Sequence, residues 1–294
     1  MNVLGISALY DAAGDAYRTK LAFDRCAPGW TYRATHRRDT HYGFGTDLPW
    51  AGAIDAWRAA DVIHEALGFM ASPLLHVPPP RKVVVHHHGT IFRRDRDLLL
   101  REQRARRARG LVSTLDLYLM APSDVEWSPS PYNLGWLASL RRPNDGPLRI
   151  AHAPTSRIIK STAAFLEATE RLAREVPLEV VVIEGTTWAD CLRQKADADI
   201  YFDQVALGYG CNAVEAWGMG IPVVAGAAPA TLDEIARRAG GLPFVVADEG
   251  TIYDALRLLA EPAARRKWAT IGLDFARRFH ADEVVVPRLQ AVFA

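Results

Sequence analysis

The chain has 294 residues, which is enough for two domains of about 150 residues each. Apolar residues make up 49% and charged residues 23% of the sequence, a composition typical of globular proteins and unlike that of disordered or fibrous chains. Thirty-five basic residues nearly cancel 34 acidic ones, so no overall charge would hold a polyanion or a membrane. Any anion-binding site must therefore be local.

Cysteine content and hydropathy indicate the cellular compartment in which the protein is located. The three cysteines, Cys26, Cys191 and Cys211, are an odd number without CxxC spacing, which argues against a disulfide framework and a structural zinc site. No segment approaches the ~20 apolar residues of a transmembrane helix, and the first residues lack the features of a signal peptide. We therefore expect a cytoplasmic protein with no integral membrane segment, while peripheral membrane attachment stays open.

The first half of the chain alternates short apolar runs with segments of helical period, the pattern of βα units around a parallel sheet. Proline-rich residues 122–147 are typical of a linker, so we predict an N-terminal domain over 1–145 and a C-terminal domain over 146–294. The predicted N-terminal elements are the strands Val3–Leu9, Tyr32–His36, Asp61–Glu65, Lys82–His88 and Gly110–Leu119, and the helices Ala12–Arg25 and Arg93–Arg109.

The second half repeats the βα pattern, which predicts a second α/β domain. The last predicted helix is also in a position to pack back on the N-terminal domain. The predicted strands are Leu148–His152, Leu178–Ile183, Asp199–Phe202 and Pro222–Ala225, and the predicted helices are Thr162–Glu175, Ala189–Lys195, Cys211–Met219, Leu256–Phe279 with a break at Glu261-Pro262, and Pro287–Phe293.

The most informative segment, residues 203–224, places a strand end, a glycine-containing loop, a helix and a second strand in succession. Gly210, Cys211 and Asn212 stand at the start of this helix, where free backbone N–H groups attract phosphate. Glu215 stands one turn into the helix, where a carboxylate can accept hydrogen bonds from a ribose. The alternative is a structural turn in which Glu215 is an ordinary solvated side chain.

A second loop, residues 153–161, follows a predicted strand and precedes a helix. It carries Arg157 and Lys160 at the carboxyl edge of the sheet, where α/β proteins bind ligands. A guanidinium fork and an ammonium group together can hold a diphosphate and stabilise the charge of a departing nucleotide. The alternative is a pair of solvated cations before a helix.

Residues 200–224 resemble the donor-site signature of GT-B-fold glycosyltransferases, especially the retaining family 4 type. The match runs over Val214–Val224, against a family pattern of roughly Leu-Glu-Ala-Met-Ala-x-Gly-x-Pro-Val-Val. The resemblance implies a GT-B fold, with two Rossmann-like α/β domains whose parallel sheets face an interdomain cleft. It also implies that Glu215 binds the ribose, that the amides around Gly210, Cys211 and Asn212 face the distal phosphate, and that Arg157 and Lys160 hold the diphosphate.

The sequence departs from this family at the donor sugar. Many members place a second Glu eight residues before the helix Glu, where this chain has Leu207. Asp203 and Gln204 match an Asp-Gln pair found in a subset of members, so the resemblance offers them as sugar contacts. The loop of Glu184 and Gly185 matches the place where the family holds the nucleobase.

A run of three histidines, His86, His87 and His88, ends a predicted strand of the N-terminal domain. Alternation along the strand separates His87 from the other two, and no cysteine or carboxylate lies at ligand spacing, so we expect no metal site. The resemblance assigns His88 to the sugar pocket. It also places Gly14 and Asp15 on the acceptor side, in a loop that keeps only one of the usual glycines.

The predicted helix Arg93–Arg109 carries eight arginines. Such a helix could contact anionic lipid or nucleic acid. The alternative is a solvated face with i,i+4 pairs such as Asp97–Arg101 and Glu102–Arg106. The segment has no interleaved aromatic residues for stacking on bases, which disfavours binding to single-stranded nucleic acid.

The resemblance implies a glycosyltransferase that moves a sugar from a nucleotide-diphosphate donor to an acceptor hydroxyl, with retention of configuration and without a metal or other cofactor. The acceptor stays open among a glycan, a lipid, a small molecule, a protein and modified DNA, and the oligomeric state is undetermined. The alternatives are a non-catalytic sugar-nucleotide-binding module and a GT-B-fold nucleotide-sugar epimerase.

Overall fold

The computed structural model describes residues 1–7, 11, 14–38, 41–66 and 82–294. The chain divides into two compact parts, unit 1 with residues 1–132 and 280–294, and unit 2 with residues 133–279. The predicted domain boundary after residue 145 thus falls inside unit 2. The predicted strand end at Leu9 and helix start at Ala12 lie outside the described residues.

Unit 1 is built on a six-stranded sheet in which every strand pair is parallel. Its strands are β1 (Asn2–Ser7), β2 (Thr31–His36), β3 (Val62–Ala66), β4 (Lys82–His87), β5 (Arg109–Val112) and β6 (Val125–Trp127). Their order across the sheet is β2-β1-β3-β4-β5-β6. The central strands are rich in Val and Ile and buried along almost their whole length, as expected when helices cover both faces of a parallel sheet.

The described helices of unit 1 are α1 (Asp15–Cys26), α2 (Ala53–Ala59), α3 (Gly89–Ala105), α4 (Leu115–Met120) and the C-terminal α12 (Asp282–Phe293). Helix α12 packs its apolar side, including Val285, Leu289 and Phe293, into the same core as Phe23 of α1. Arg25 of α1 and Asp282 of α12 form an ion pair with a 2.6 Å separation between Nη2 and Oδ2. The C-terminal segment is therefore an integral part of unit 1.

Unit 2 is built on a mixed sheet of strands β7 (Leu148–His152), β8 (Leu178–Val182), β9 (Ile200–Phe202), β10 (Leu207–Gly208), β11 (Val223–Ala227) and β12 (Val245–Val246). The order is β10-β11-β9-β7-β8, with β12 beside β11, and only β10 among these strands runs antiparallel to its neighbour. Its helices are α5 (Leu134–Leu140), α6 (Thr162–Leu172), α7 (Trp188–Lys195), α8 (Cys211–Gly218), α9 (Pro229–Ala239), α10 (Ile252–Ala260) and α11 (Pro262–Phe279).

Several predicted elements are confirmed, and others are wrong at their ends. The predicted break at Glu261-Pro262 is confirmed, because α10 ends just before it and α11 begins at Pro262. The strand predicted over Gly110–Leu119 is wrong in its second half, where α4 begins after Thr114 with Asp116 in its first turn, a favourable place for an acidic side chain.

The boundaries of two other helices also differ from the prediction. Helix α3 begins at Gly89 and ends at Ala105, because the chain turns through Arg107 in the left-handed region (φ 54°) and continues directly as β5. The last helix begins at Asp282 and contains Pro287, which the prediction had placed at its start. The proline-rich segment predicted as a linker contains β6 and α5.

Both sheets reverse their strand order at one point. The reversal lies between β1 and β3 in unit 1, and between β7 and β9 in unit 2. At such a point the loops after the two strands diverge to opposite faces, leaving the crevice in which open α/β sheets bind their ligands. No helix in the described part of the chain is long and apolar enough to cross a membrane.

Candidate functional site

The loops at the switch point of unit 2 bring Lys160 and Asp203 together. Lys160 follows β7 and Asp203 follows β9, and Lys160 Nζ lies 2.6 Å from Asp203 Oδ1. The other carboxylate oxygen accepts the backbone N–H of Gly210 at 2.6 Å, immediately before α8. A single, fully buried carboxylate therefore fixes both a cation and the start of a helix.

Glu215, one turn into α8, is buried and held on both of its oxygens. Oε1 accepts the indole N–H of Trp188 at 2.8 Å, and Oε2 accepts from Lys195 Nζ at 2.7 Å. Lys195 also donates to the side-chain oxygen of Asn212 at 2.7 Å. Burial opposes the charge on Lys195, but Glu215 beside it outweighs that effect and raises the Lys195 pKa above its ordinary value. Lys195 therefore carries its positive charge at neutral pH.

Arg157 and Glu184 pair with each other on the surface of unit 2. Their Nη2 and Oε2 atoms are 2.5 Å apart, and 59% of the Arg157 side chain is exposed. The hydrogen bonds from Arg157 hold the pKa of Glu184 below its usual range. The next residue, Gly185, has a φ of 63°. Two residues to which the sequence assigned separate tasks thus contact one another.

Ser161 and Gln204 complete the surroundings of Lys160 and Asp203. Ser161 has a left-handed backbone (φ 49°), a conformation that glycine adopts more easily than any other residue. Its hydroxyl donates to Glu249 Oε1 at 3.0 Å. The Gln204 side chain is buried, and its Oε1 atom has no hydrogen-bond partner among the described residues.

Unit 1 has a separate polar cluster around Asp15, the first residue of α1. Asp15 is buried, and its Oδ1 accepts from the Ser130 hydroxyl at 2.8 Å. Its Oδ2 lies 3.3 Å from His86 Nδ1 and 3.4 Å from His88 Nε2. His64, on the neighbouring strand β3, has its Nδ1 atom 2.7 Å from the Tyr32 hydroxyl. The fold thus brings a carboxylate to the histidine run, although none lies at ligand spacing from it in the sequence.

Burial and mutual contact determine the charges in this cluster. Burial opposes the charge on Asp15, but His86 and His88 beside it hold the pKa of its carboxyl well below the ordinary value. Burial, with His86 as a neighbour, lowers the pKa of His64 to about 3. At neutral pH the cluster therefore contains an ionised carboxylate next to a neutral His64.

Gly14 has a structural reason for its identity. Its φ is 66°, and a Cβ atom there would lie 2.4 Å from the Phe44 ring. The preceding residue in the described chain, Asp11, accepts the backbone N–H groups of Asp15 at 2.7 Å and Tyr17 at 3.0 Å. Gly14 and Asp11 therefore shape the start of α1 and fix the position of Asp15.

Most arginines of the predicted basic helix are paired with carboxylates. Arg106 contacts Glu65 on β3 and Asp97 contacts Arg96, in place of the predicted pairs with Glu102 and Arg101. Six of the eight arginines form such pairs, namely Arg93, Arg94, Arg96, Arg104, Arg106 and Arg109. Their charge is thus largely balanced within unit 1.

No protein-family model and no curated protein matches this sequence. Solved structures do match along the whole chain. An alpha-glucosyltransferase in complex with UDP and a 13-mer DNA containing a HMU base has a TM-score of 0.69 at 10% identity, covering 100% of this chain and 99% of that one. The fold is GT-B.

Two further structures are similar to this GT-B chain. Sucrose-phosphate synthase from Thermosynechococcus elongatus has a TM-score of 0.64 at 14% identity, covering 100% of this chain and 98% of that one. The Anabaena protein Alr3699/HepE, in complex with UDP and glucose, has a TM-score of 0.63 at 11% identity, with 99% of both chains covered. The GT-B fold inferred from residues 200–224 is therefore confirmed.

Sequence reasoning missed Lys195, Trp188 and His64. Lysine is scarce in this chain, and this scarcity is a signal that could have marked Lys195 as a candidate. His64 stands within the apolar run of β3, where a parallel strand is buried on both faces, so the run itself indicated a buried imidazole. The local sequence pattern could not predict the contact of Trp188 with Glu215, because that contact depends on how α7 packs beside α8.

Proposed function

We propose that this GT-B chain is a glycosyltransferase that moves a sugar from a nucleotide-diphosphate donor to an acceptor hydroxyl. The observation that carries the proposal is the contact of Lys160, Asp203 and Gly210, which places a cation beside a helix start at the switch point of unit 2. Cations and helix N-termini both favour a diphosphate. The UDP in several similar structures makes UDP-sugars the first donors to test.

In this proposal the departing diphosphate is stabilised by protein groups alone. The Lys160 ammonium has three N–H donors and uses one for Asp203, which leaves others for a phosphate. Asp203 already accepts the Gly210 N–H, so the amides of Cys211 and Asn212, in the first turn of α8, would face the distal phosphate. Arg157, which is exposed, would supply the second cation. No metal is required for this step.

Other residues of unit 2 would bind the ribose and the sugar of the donor. Glu215 would accept the ribose hydroxyls, with Lys195 keeping it ionised, and a hydroxyl would take the place of the Trp188 indole N–H. Asp203 is engaged with Lys160 and Gly210, so the sugar contact would pass mainly to Gln204, whose Oε1 has no partner among the described residues.

The nucleobase would lie against the loop of Glu184 and Gly185. Most of its contacts there would be with backbone atoms, as the resemblance implies. Arg157 would share its hydrogen bonds between Glu184 and the diphosphate, because its guanidinium has five N–H donors.

On the acceptor side, His88 would line the sugar pocket. Its Nδ1 lies 3.2 Å from the Ser113 hydroxyl, and its Nε2 lies 3.4 Å from Asp15 Oδ2. Gly14 would contribute through the turn that positions Asp15. With retention of configuration, the acceptor hydroxyl attacks from the face of the leaving group and passes its proton to the diphosphate, so no carboxylate base is needed.

The decisive experiment measures nucleotide release from UDP-, GDP-, ADP- and dTDP-sugars, first without and then with candidate acceptors. A transferase releases nucleotide slowly to water and faster with its acceptor, and the anomer of the product reports retention or inversion. A non-catalytic module binds the donor without release, and an epimerase alters the donor sugar without consuming an acceptor. Either of these two results would contradict the proposal.

The acceptor is open among a glycan, a lipid, a small molecule, a protein and modified DNA. One similar structure contains DNA with a modified base, but the ion pairs that balance most of the Arg93–Arg109 charge weaken the case for DNA here. Binding to immobilised DNA that weakens steeply as the salt concentration rises would restore the case for DNA.

The three cysteines form no disulfide, which supports a cytoplasmic location.

A further inference from the structure

The cluster in unit 1 contains donor atoms that the protein itself does not satisfy. Asp15 Oδ2, His64 Nε2 and His88 Nε2 are buried and make no hydrogen bond of good geometry among the described residues. Buried polar atoms are almost always hydrogen-bonded, since each one left unsatisfied costs about 1–3 kcal/mol. Several such atoms converging on one point indicate that a ligand belongs there.

The arrangement of these atoms suits a metal ion. Asp15, His64 and His86 each offer one ligand atom, and the three atoms lie within 4.8 Å of one another. Two ligands of a tetrahedral ion, each about 2.0–2.1 Å from the metal, stand about 3.3–3.4 Å apart. The separation of Asp15 Oδ2 and His86 Nδ1 is 3.3 Å, which matches that edge.

A neighbouring hydroxyl prepares one of these groups for a metal. A ligating histidine uses its second nitrogen for a hydrogen bond that fixes the ring, as His64 Nδ1 does with the Tyr32 hydroxyl at 2.7 Å. Its Nε2 atom, which is buried and has no partner among the described residues, is thereby held ready for the ion.

We propose that Asp15, His64 and His86 bind one divalent transition-metal ion of the Zn²⁺ class. The ion would join the start of α1 to strands β3 and β4 at the switch point of unit 1, with His88 Nε2, 3.4 Å from the same Asp15 oxygen, as the nearest further donor. This site is distinct from the proposed donor site in unit 2. It neither requires nor excludes glycosyl transfer.

The first test is direct binding of Zn²⁺ to the full chain. Metal-free protein is dialysed against Zn²⁺, and bound metal is counted by mass spectrometry, while a chromophoric chelator in competition gives the affinity. We expect one Zn²⁺ per chain, and Co²⁺ in its place should give the absorption spectrum of tetrahedral coordination. A chain that binds no Zn²⁺ under these conditions overturns the proposal.

Variants then establish which residues hold the ion. Asp15→Asn and His64→Gln should each weaken Zn²⁺ binding at least ~10-fold, the scale on which even indirect partners of metal ligands act. The matched control is His87→Gln. His87 is a buried histidine on β4, next to His86, and its side chain contacts Gln103 and not the cluster. This variant should bind Zn²⁺ as the original chain does. Equal binding by all three variants would place the ion elsewhere and refute the site.

A further variant covers the case in which a ligand substitution prevents folding. Tyr32→Phe leaves all three ligands in place and removes only the hydroxyl next to His64 Nδ1. We expect a loss of Zn²⁺ affinity of about 10-fold with the Co²⁺ spectrum still tetrahedral. Unchanged affinity in a folded Tyr32→Phe protein would contradict the assignment of His64 as a ligand.

Discussion

The two units place polar clusters at the same topological point but balance their charges in opposite ways. In unit 2 each buried carboxylate has its own lysine, Asp203 with Lys160 and Glu215 with Lys195. In unit 1, Asp15 faces imidazoles and a serine hydroxyl, and no Lys or Arg ion pair to it is found among the described residues.

This difference indicates two kinds of ligand. In unit 2 each buried negative charge is offset by a lysine, and the N–H donors that Lys160 does not use for Asp203 can turn to an anion. The carboxylate of unit 1 has a negative charge with an open oxygen, an arrangement that attracts a cation. Under the two proposals, the same α/β scaffold would bind an anion in unit 2 and a cation in unit 1, with different side chains at the switch point of each sheet.

The largest effect should come from breaking the Lys195–Glu215 pair. Lys195→Met leaves a buried carboxylate without its cation and should reduce the free energy of unfolding by about 3–5 kcal/mol, as measured by urea denaturation. The double variant Lys195→Met with Glu215→Gln removes both charges and should recover most of that stability without recovering donor binding. A single variant as stable as the original chain would show that the pair is not electrically coupled.

Lys160→Ala tests the anion site through catalysis. Removing one group that stabilises the departing diphosphate costs about 3–4 kcal/mol in comparable sites, so turnover should fall about 100-fold or more. Lys267→Ala, an exposed lysine on α11, is the matched control and should leave turnover unchanged. A loss of only a few-fold at Lys160 would refute its role at the diphosphate.

Acid should destabilise both units through their buried histidines. The pKa values of His152 and His64 are lowered by burial to about 4 and about 3, from 6.5. Below pH 6.5 the unfolded chain takes up protons that the folded chain rejects, so stability falls as the pH drops towards these values. At about 1.4 kcal/mol per pKa unit, His152 contributes up to about 3 kcal/mol of this loss.

Denaturation at about pH 7 and about pH 5 measures this effect. His152→Gln in unit 2 and His64→Gln in unit 1 should each reduce the pH dependence of the unfolding free energy, while the exposed His41→Gln should not. Stability that is constant from pH 7 to pH 5 would contradict the buried, neutral state of these imidazoles.

The smallest effect should come from Trp188→Phe. The change removes the indole N–H that occupies Glu215 Oε1, where the proposal places a ribose hydroxyl. Donor affinity should rise a few-fold, because about 1 kcal/mol of competing hydrogen bond is lost. The control is Trp136→Phe, which should leave donor affinity unchanged. The ring centroid of Trp136 lies 5.6 Å from that of Trp188. Weaker donor binding in Trp188→Phe would mean that the indole itself contacts the donor.

The two units also differ in how much of their polar clusters could be predicted from the sequence. In unit 2 the chemistry lies in short continuous segments, so the helix with Glu215 and the loop with Lys160 were found from local pattern. In unit 1, Asp15, His64 and His86 come from three distant segments, and only the parallel order of β1, β3 and β4 brings them together. Spacing along the chain could not reveal a carboxylate beside the histidines.

Some helix boundaries were predicted wrongly for a related reason. The end of α3 depends on the left-handed turn at Arg107, and α4 and α5 are short helices stabilised by packing in regions that read as a strand and a linker. Partners such as Lys195 for Glu215 depend on how α7 packs beside α8. Local propensity carries no information about such contacts between elements.

The most direct test of the donor site measures how nucleotide sugars affect thermal stability in the absence of metal. A ligand at 100 times its Kd stabilises the folded state by about 2.7 kcal/mol, which is a readable shift. We expect the sugars of one nucleotide, with UDP first in the panel, to stabilise the original chain and Lys267→Ala but not Lys160→Ala or Glu215→Ala. No shift with any donor, or an equal shift in Lys160→Ala, would contradict the assignment of unit 2 as the donor-binding unit.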